Sequence, residues 1–211
     1  VENNVGLVML GTTGETPMLN SWEKKQITDL ALTKAKDKVP IIVGTGEIST
    51  EETIKETKKA EDLGADAVLI VTPPYVKPTD EGVYRHFESV VNNSDIPIIV
   101  YNIQARTGKN ISAKLLKRIS GLDRIVGVKE ASGDINQMMD MRASLPSDFL
   151  IFSGDDSLTL PMLSLGANGV ISVVSNLYPA EIRYLVKWGL SGDFGKAREL
   201  HYKLLQFTRA I

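Results

Sequence analysis

Seven short apolar runs recur along the chain: VGLVML at 5–10, PIIVGTG at 40–46, DAVLIVTPP at 66–74, IPIIVYN at 96–102, IVGVKEA at 125–131, FLIFSGDD at 149–156 and GVISVVS at 169–175. Most are rich in β-branched residues and apolar at consecutive positions, which predicts strands covered on both faces. Amphipathic stretches with helix punctuation lie between most of them. In STEETIKETKKAEDLG, Ser49 and Glu52 have capping-box spacing, Ile54 and Leu63 lie on an apolar stripe, and Gly64 is a stop. Ser112 can cap AKLLKRISG, Asp134 can cap INQMMDMRASL, and Pro179 suits the first turn of AEIRYLVKWGL.

Strand and helix alternate throughout, which argues for a parallel α/β fold with right-handed crossovers. An open doubly wound sheet and a closed (β/α)8 barrel both fit that alternation. The strand ends favour the barrel. Thr12, Thr13, Thr45, Thr72, Tyr101, Lys129, Asp155 and Asp156 fall at the C-terminal ends of several different strands, where barrel enzymes keep their chemistry. No G-x-G-x-x-G turn opens a helix, as a doubly wound nucleotide site would require. Seven strands are one short of closure, so the expected architecture is a (β/α)8 TIM barrel over residues 1–192 that lacks its first strand and helix. That missing unit is expected upstream of Val1, and 193–211 begin a C-terminal helical region.

At 211 residues and 43% hydrophobic, the chain can build one sizeable core. A net charge of −2 with dispersed basic residues points away from nucleic acid and from anionic membrane surfaces. No apolar run is long enough to span a bilayer. Cysteine is absent, which excludes disulfides and thiolate chemistry and is compatible with a reducing cytosol. The two histidines, His86 and His201, lie in helical-looking segments, which argues against a histidine metal site.

Lys129 interrupts the fifth run. Strand alternation places it on one face with Gly127 and Ala131, with Val126 and Val128 on the other, so two small residues flank the ammonium. Either the side chain snorkels to water, or it is a desolvated amine whose lowered pKa lets it attack a carbonyl. LGTTGE at 10–15 is either an ordinary βα loop or a tight, glycine-bounded turn whose amides and hydroxyls cradle a carboxylate or phosphate. Tyr101 could relay protons or anchor the barrel rim. Arg106 could fork onto a substrate carboxylate or be solvated.

GTTGE, then YN followed by RTG, then GVKEASGD, in that order and on alternate strands, together resemble the pyruvate-dependent class I aldolases of the N-acetylneuraminate lyase family. The resemblance continues through VTPPYVKPTDEGVYRHF, FSGDDSLTLP and GANGVISVVSN. It implies that Lys129 forms a Schiff base with pyruvate and that Thr12 and Thr13 hold the pyruvate carboxylate. Tyr101 would shuttle protons through Thr12 to Tyr75, supplied by a neighbouring subunit. Arg106 would bind the second substrate's carboxylate, and Gly154 and Ile171 would line the pocket with backbone. It further implies a homo-oligomer, a dimer of dimers, needing no metal or other cofactor. Arg106 favours members that condense pyruvate with aspartate 4-semialdehyde, since sialic-acid lyases lack this arginine. Gln104 departs from the family, which usually has proline there. Cleavage of N-acetylneuraminate or a 2-keto-3-deoxy sugar acid, and a non-catalytic barrel fragment, are the alternative readings.

The same matching implies weak or absent feedback inhibition by lysine. Ile48 and Pro74 stand where lysine-inhibited members have asparagine and tyrosine, Ser21 and Lys24 where some have histidines, and only Glu52 keeps a matching acid. Lys24 should also repel the effector's ammonium groups. Two lost polar contacts would weaken binding by about 10²- to 10⁴-fold if additive. A lysine titration of the intact protein should therefore show no half-inhibition in the sub-millimolar range.

Overall fold

The structure, a computed structural model, describes residues 2–210; Val1 and Ile211, the outer limits of the two expected segments, lie outside the described residues. Among the described residues, seven strands form one parallel sheet: β1 (Leu7–Met9), β2 (Ile41–Gly44), β3 (Ala67–Val71), β4 (Ile98–Asn102), β5 (Ile125–Glu130), β6 (Leu150–Ser153) and β7 (Gly169–Val170). Each pairs with its predecessor, from β1 to β7 without reversal. That order removes the doubly wound alternative, in which strand order reverses at a switch point. The helices are α1 (Ser21–Ala35), α2 (Thr50–Leu63), α3 (Asp80–Val91), the single turn α4 (Gln104–Thr107), α5 (Ala113–Ile119), α6 (Ile135–Ser144), α7 (Thr159–Ser164), α8 (Pro179–Leu190) and α9 (Phe194–Ala210). Among the described residues, no helix is long and apolar enough to cross a membrane.

Side-chain alternation splits the apolar residues into two layers. Val68, Ile70, Ile98, Val100, Val128 and Ile151 pack outward with helix residues such as Phe87, Leu116 and Met138. Leu69, Ile99 and Tyr101 form an inner cluster with Val8, Ile42, Phe152 and Ile171, contributed from strands or strand ends around the curl. The sheet therefore encloses a second core of its own, as a barrel does. β1 and β7 are its two edges and do not pair with each other.

Helix ends largely follow local chemistry. Ser112 accepts from Leu115 N, and Asp134 from Asn136 N and Gln137 N, while Pro179 opens α8. The capping box expected at Ser49 and Glu52 is half made: Ser49 accepts from Glu52 N at 3.1 Å, but the Glu52 carboxylate reaches Lys55. The buried stripe of α2 consists of Thr53, Thr57 and Ala60, with Ile54 and Leu63 only half-buried. The threonines can be buried because Thr53 donates to Ser49 O and Thr57 pairs with Thr45.

One strand breaks the expected alternation. Ile98 opposes Ile125, but Ile99 opposes Gly127, so Val126 is the extra residue of a bulge between β4 and β5. The bulge turns Val126 inward with Ile99 and Tyr101, while Val128 stays in the outer layer. Lys129 keeps its inward direction, opposite Tyr101 on β4 and Phe152 on β6. Gly127 has a different use from the one expected. A Cβ there would lie 2.7 Å from the Leu150 carbonyl oxygen, so glycine lets β6 approach rather than leaving space for the lysine.

Candidate active site

Lys129 ends the inner face of β5 at 9% exposure, with its Nζ 4.1 Å from the centre of the Tyr101 ring. Burial pulls its pKa down from 10.5 to about 8, against the opposing charge of Asp156. At pH 7 roughly a tenth of the amine is then neutral, compared with ~0.03% for an exposed lysine. The amine is therefore desolvated and does not snorkel. The room beside it comes from Gly154. A Cβ on Gly154 would lie 2.7 Å from Ala131 Cβ and 3.1 Å from both Cγ and Cε of Lys129.

Burial pushes the Tyr101 phenol above its ordinary pKa, opposed by the polar Thr12 side chain beside it and by the Arg106 charge. The phenol is therefore protonated at neutral pH and can act first as an acid. Thr12 and Thr13 lie in a 3-10 turn, Thr12–Gly14, closed by Gly14 N donating to Gly11 O at 3.0 Å. As at any helix start, the first amides have no acceptor inside the turn. Thr12 is half-buried and Thr13 is exposed at the rim. The left-handed positions around this turn belong to Leu10 (φ 54°) and Glu15 (φ 53°). Gly11 and Gly14 instead border open space, where an added Cβ would meet nothing within 4 Å.

Arg106 is exposed on α4. Proline is not needed to fix this turn, since Gly108 (φ 73°) donates to Gln104 O at 2.8 Å. Thr107 Oγ1 also donates to Ile103 O and accepts from Lys109 N. Ile171 joins the inner cluster, and its N–H donates to Ser153 O at 2.9 Å.

The fold thus draws Lys129, Tyr101, Thr12, Arg106, Gly154 and Ile171 to the C-terminal mouth of the sheet. Tyr75 stands apart at 87% exposure on a projecting loop, with φ 72°. Thr45 is also outside the group, since its hydroxyl is tied to Thr57 on α2 at 2.9 Å. Lys24 lies 2.6 Å from Glu47, which offsets the like-charge repulsion expected of it. Sequence reasoning left the role of Asp156 open. Its carboxylate accepts from Ser172 Oγ, Val173 N and Val174 N, holding the loop after β7 while placing negative charge near Lys129.

The profile of the "Dihydrodipicolinate synthetase family" matches residues 2–211. The chain belongs to that family. It is 53% identical over 209 residues to the 4-hydroxy-tetrahydrodipicolinate synthase of Protochlamydia amoebophila, covering 97% of this chain and 69% of that protein. Dihydrodipicolinate synthase from Thermotoga maritima superposes with a TM-score of 0.95 at 43% identity, over 97% of this chain and 70% of that one. The chloride-inhibited synthase from Acinetobacter baumannii, solved in complex with pyruvate, gives 0.96 at 36% identity, over 99% and 72%. The family thus accounts for the parallel α/β fold.

Two expected outcomes follow from the geometry. The unfolded chain keeps the Lys129 proton between pH 8 and 10.5 where the folded chain has lost it, so folding stability rises with pH across that window. Lys129→Met should therefore be more stable than the parent at pH 7 by about 1–3 kcal/mol, with the gain fading towards pH 10.5 in urea melts. Gly154→Ala should crowd Lys129 and slow its reaction with a ketone by about tenfold or more, measured as the rate of adduct formation.

Proposed function

We propose that this chain forms the catalytic barrel of a Schiff-base lyase. The enzyme would condense pyruvate with aspartate 4-semialdehyde to give 4-hydroxy-tetrahydrodipicolinate, in diaminopimelate and lysine biosynthesis. The observation that carries the reading is the desolvated Lys129 amine, with a pKa of about 8, lying 4.1 Å from the Tyr101 ring. The names of the relatives support the choice of reaction.

Neutral Lys129 attacks C2 of pyruvate, and the carbinolamine oxygen takes a proton from Tyr101 and leaves as water. The imine gives a C3 proton to the Tyr101 phenolate and becomes an enamine, whose C3 attacks the aldehyde carbon of the semialdehyde. The new alkoxide takes a proton from Tyr101. The semialdehyde's amine then displaces Lys129 from C2, which closes the ring and restores the free lysine. Thr12, beside Tyr101, passes protons outward. Thr12 and Thr13 hold the pyruvate carboxylate, Arg106 receives that of the semialdehyde, and Gly154 and Ile171 bound the pocket.

Tyr75 completes the relay from a second subunit. Its exposure and the three prolines of its loop suit a side chain presented across an interface. The assembly we infer is a homo-oligomer, a dimer of dimers, and the compartment is the cytoplasm. An eighth strand outside residues 1–211 would join the free edges of β1 and β7, and 193–211 would begin a helical region that continues beyond this chain. The partial coverage of the relatives, 69% in the Protochlamydia enzyme, is in keeping with this.

Pyruvate followed by borohydride should add mass to Lys129 in the intact protein, and Lys129→Arg should abolish both labelling and turnover. Arg106→Leu should raise KM for the semialdehyde by about 30- to 100-fold with little change for pyruvate. An unlabelled Lys129, or equal effects of Arg106→Leu on both substrates, would overturn the corresponding role.

A further inference from the structure

Tyr101 opposes Lys129 across β4 and β5, and the next pair in the same register is Asn102 with Glu130. Alternation turns this second pair to the opposite face of the sheet. There both side chains are buried, at 0% and 3% exposure. Asn102 Nδ2 donates to Glu130 Oε2 at 2.8 Å and to Asn110 Oδ1 at 2.9 Å, and Asn102 Oδ1 accepts from Ile111 N at 2.9 Å. Ser132 N donates to Glu130 Oε1 at 2.7 Å, and Gln137 Nε2 reaches Glu130 Oε2 at 3.5 Å. Every partner of Glu130 is a donor, which suits an acceptor-only carboxylate. A buried carboxylate is costly unless its geometry is met in full, so this network is specific to one arrangement of the strands.

That specificity matters because β5 contains a second register. Upstream of the bulge the pairing runs Ile98 to Ile125, and continued unchanged it would set Val128 opposite Tyr101. Migration of the bulge past Lys129 would turn its side chain away from the inner face. Apolar contacts discriminate weakly here, since Val126 and Val128 are the same residue type. The asparagine–glutamate pair fits only the observed register.

We propose that Asn102 and Glu130 are positioning residues, a buried register clamp that holds Lys129 against Tyr101. The inference rests on the Schiff-base reading above for its effect on turnover, but its geometric content is independent of it. The clamp also fixes the segment carrying Arg106, because Asn102 grips Asn110 and Ile111 beyond α4.

The test uses Glu130→Gln, Asn102→Asp and the double variant in the intact protein. Glu130→Gln sets an amide donor against donors, and Asn102→Asp sets carboxylate against carboxylate. The double variant reverses the hydrogen bond and still leaves acceptors for Ser132 N and Ile111 N. Two readouts are taken: turnover per borohydride-trappable Lys129, and the pH midpoint of Lys129 acetylation followed by mass spectrometry. Each single variant should lose about tenfold or more in kcat while both KM values change by less than about threefold. In each, the acetylation midpoint should rise by about one unit or more above that of the parent, and the double variant should recover both. Single variants that leave the midpoint unmoved, or a double variant no better than the worse single, would overturn the clamp. If a single variant does not fold, recovery or its absence in the double variant decides. Failure of the parent protein to trap pyruvate would reject the Schiff-base reading, while the acetylation midpoints would still judge the clamp.

Discussion

Lys129 and Tyr101 face each other because β4 and β5 hold one register at their C-terminal ends, and the other parts of the site take their places around that pair. Tyr101 brings Thr12 and the Arg106 charge with it. Lys129 brings Phe152, Gly154 and the field of Asp156 with it. Parallel neighbours joined by outer helices allow each strand to deliver its last inward residue to the same rim. Groups far apart in sequence therefore meet without any one loop having to assemble them.

The electrostatics of that rim work against stability. A lysine at 9% exposure and a tyrosine at 5% each lose hydration in reaching the inner core, and burial moves their pKa values in opposite directions. The amine becomes easier to deprotonate and the phenol harder. An amine that deprotonates more readily thus stands beside a phenol that holds its proton. Asp156 limits the shift on Lys129, since its remaining negative charge favours the ammonium. Its own hydrogen bonds to the loop after β7 keep that influence at a fixed place.

Much of this was legible in the chain. Apolar runs separated by capped helices gave the seven strands, because burial on both faces and the chemistry of helix ends are local demands on residue type. Lys129 stood out for the same reason: a charged residue ending a run of valine and isoleucine needs an explanation. What could not be read were matters of which atom lies next to which. Gly127 and Gly154 are the same residue in sequence, yet one admits the backbone of β6 and the other the lysine side chain. Nor did Gly11 and Gly14 reveal that the left-handed positions around their turn fall on Leu10 and Glu15.

Sequence by itself determined the residue types at each strand end, the alternation of elements and the family signature, since these depend on composition and spacing along the chain. Only the tertiary structure decided that Val126 bulges, that Lys129 faces inward because of it, and that Asn102 meets Glu130 behind the Lys129–Tyr101 pair. The physical reason is that a bulge shifts the facing of every later residue. Its position is set by contacts between strands, which local sequence periodicity does not report.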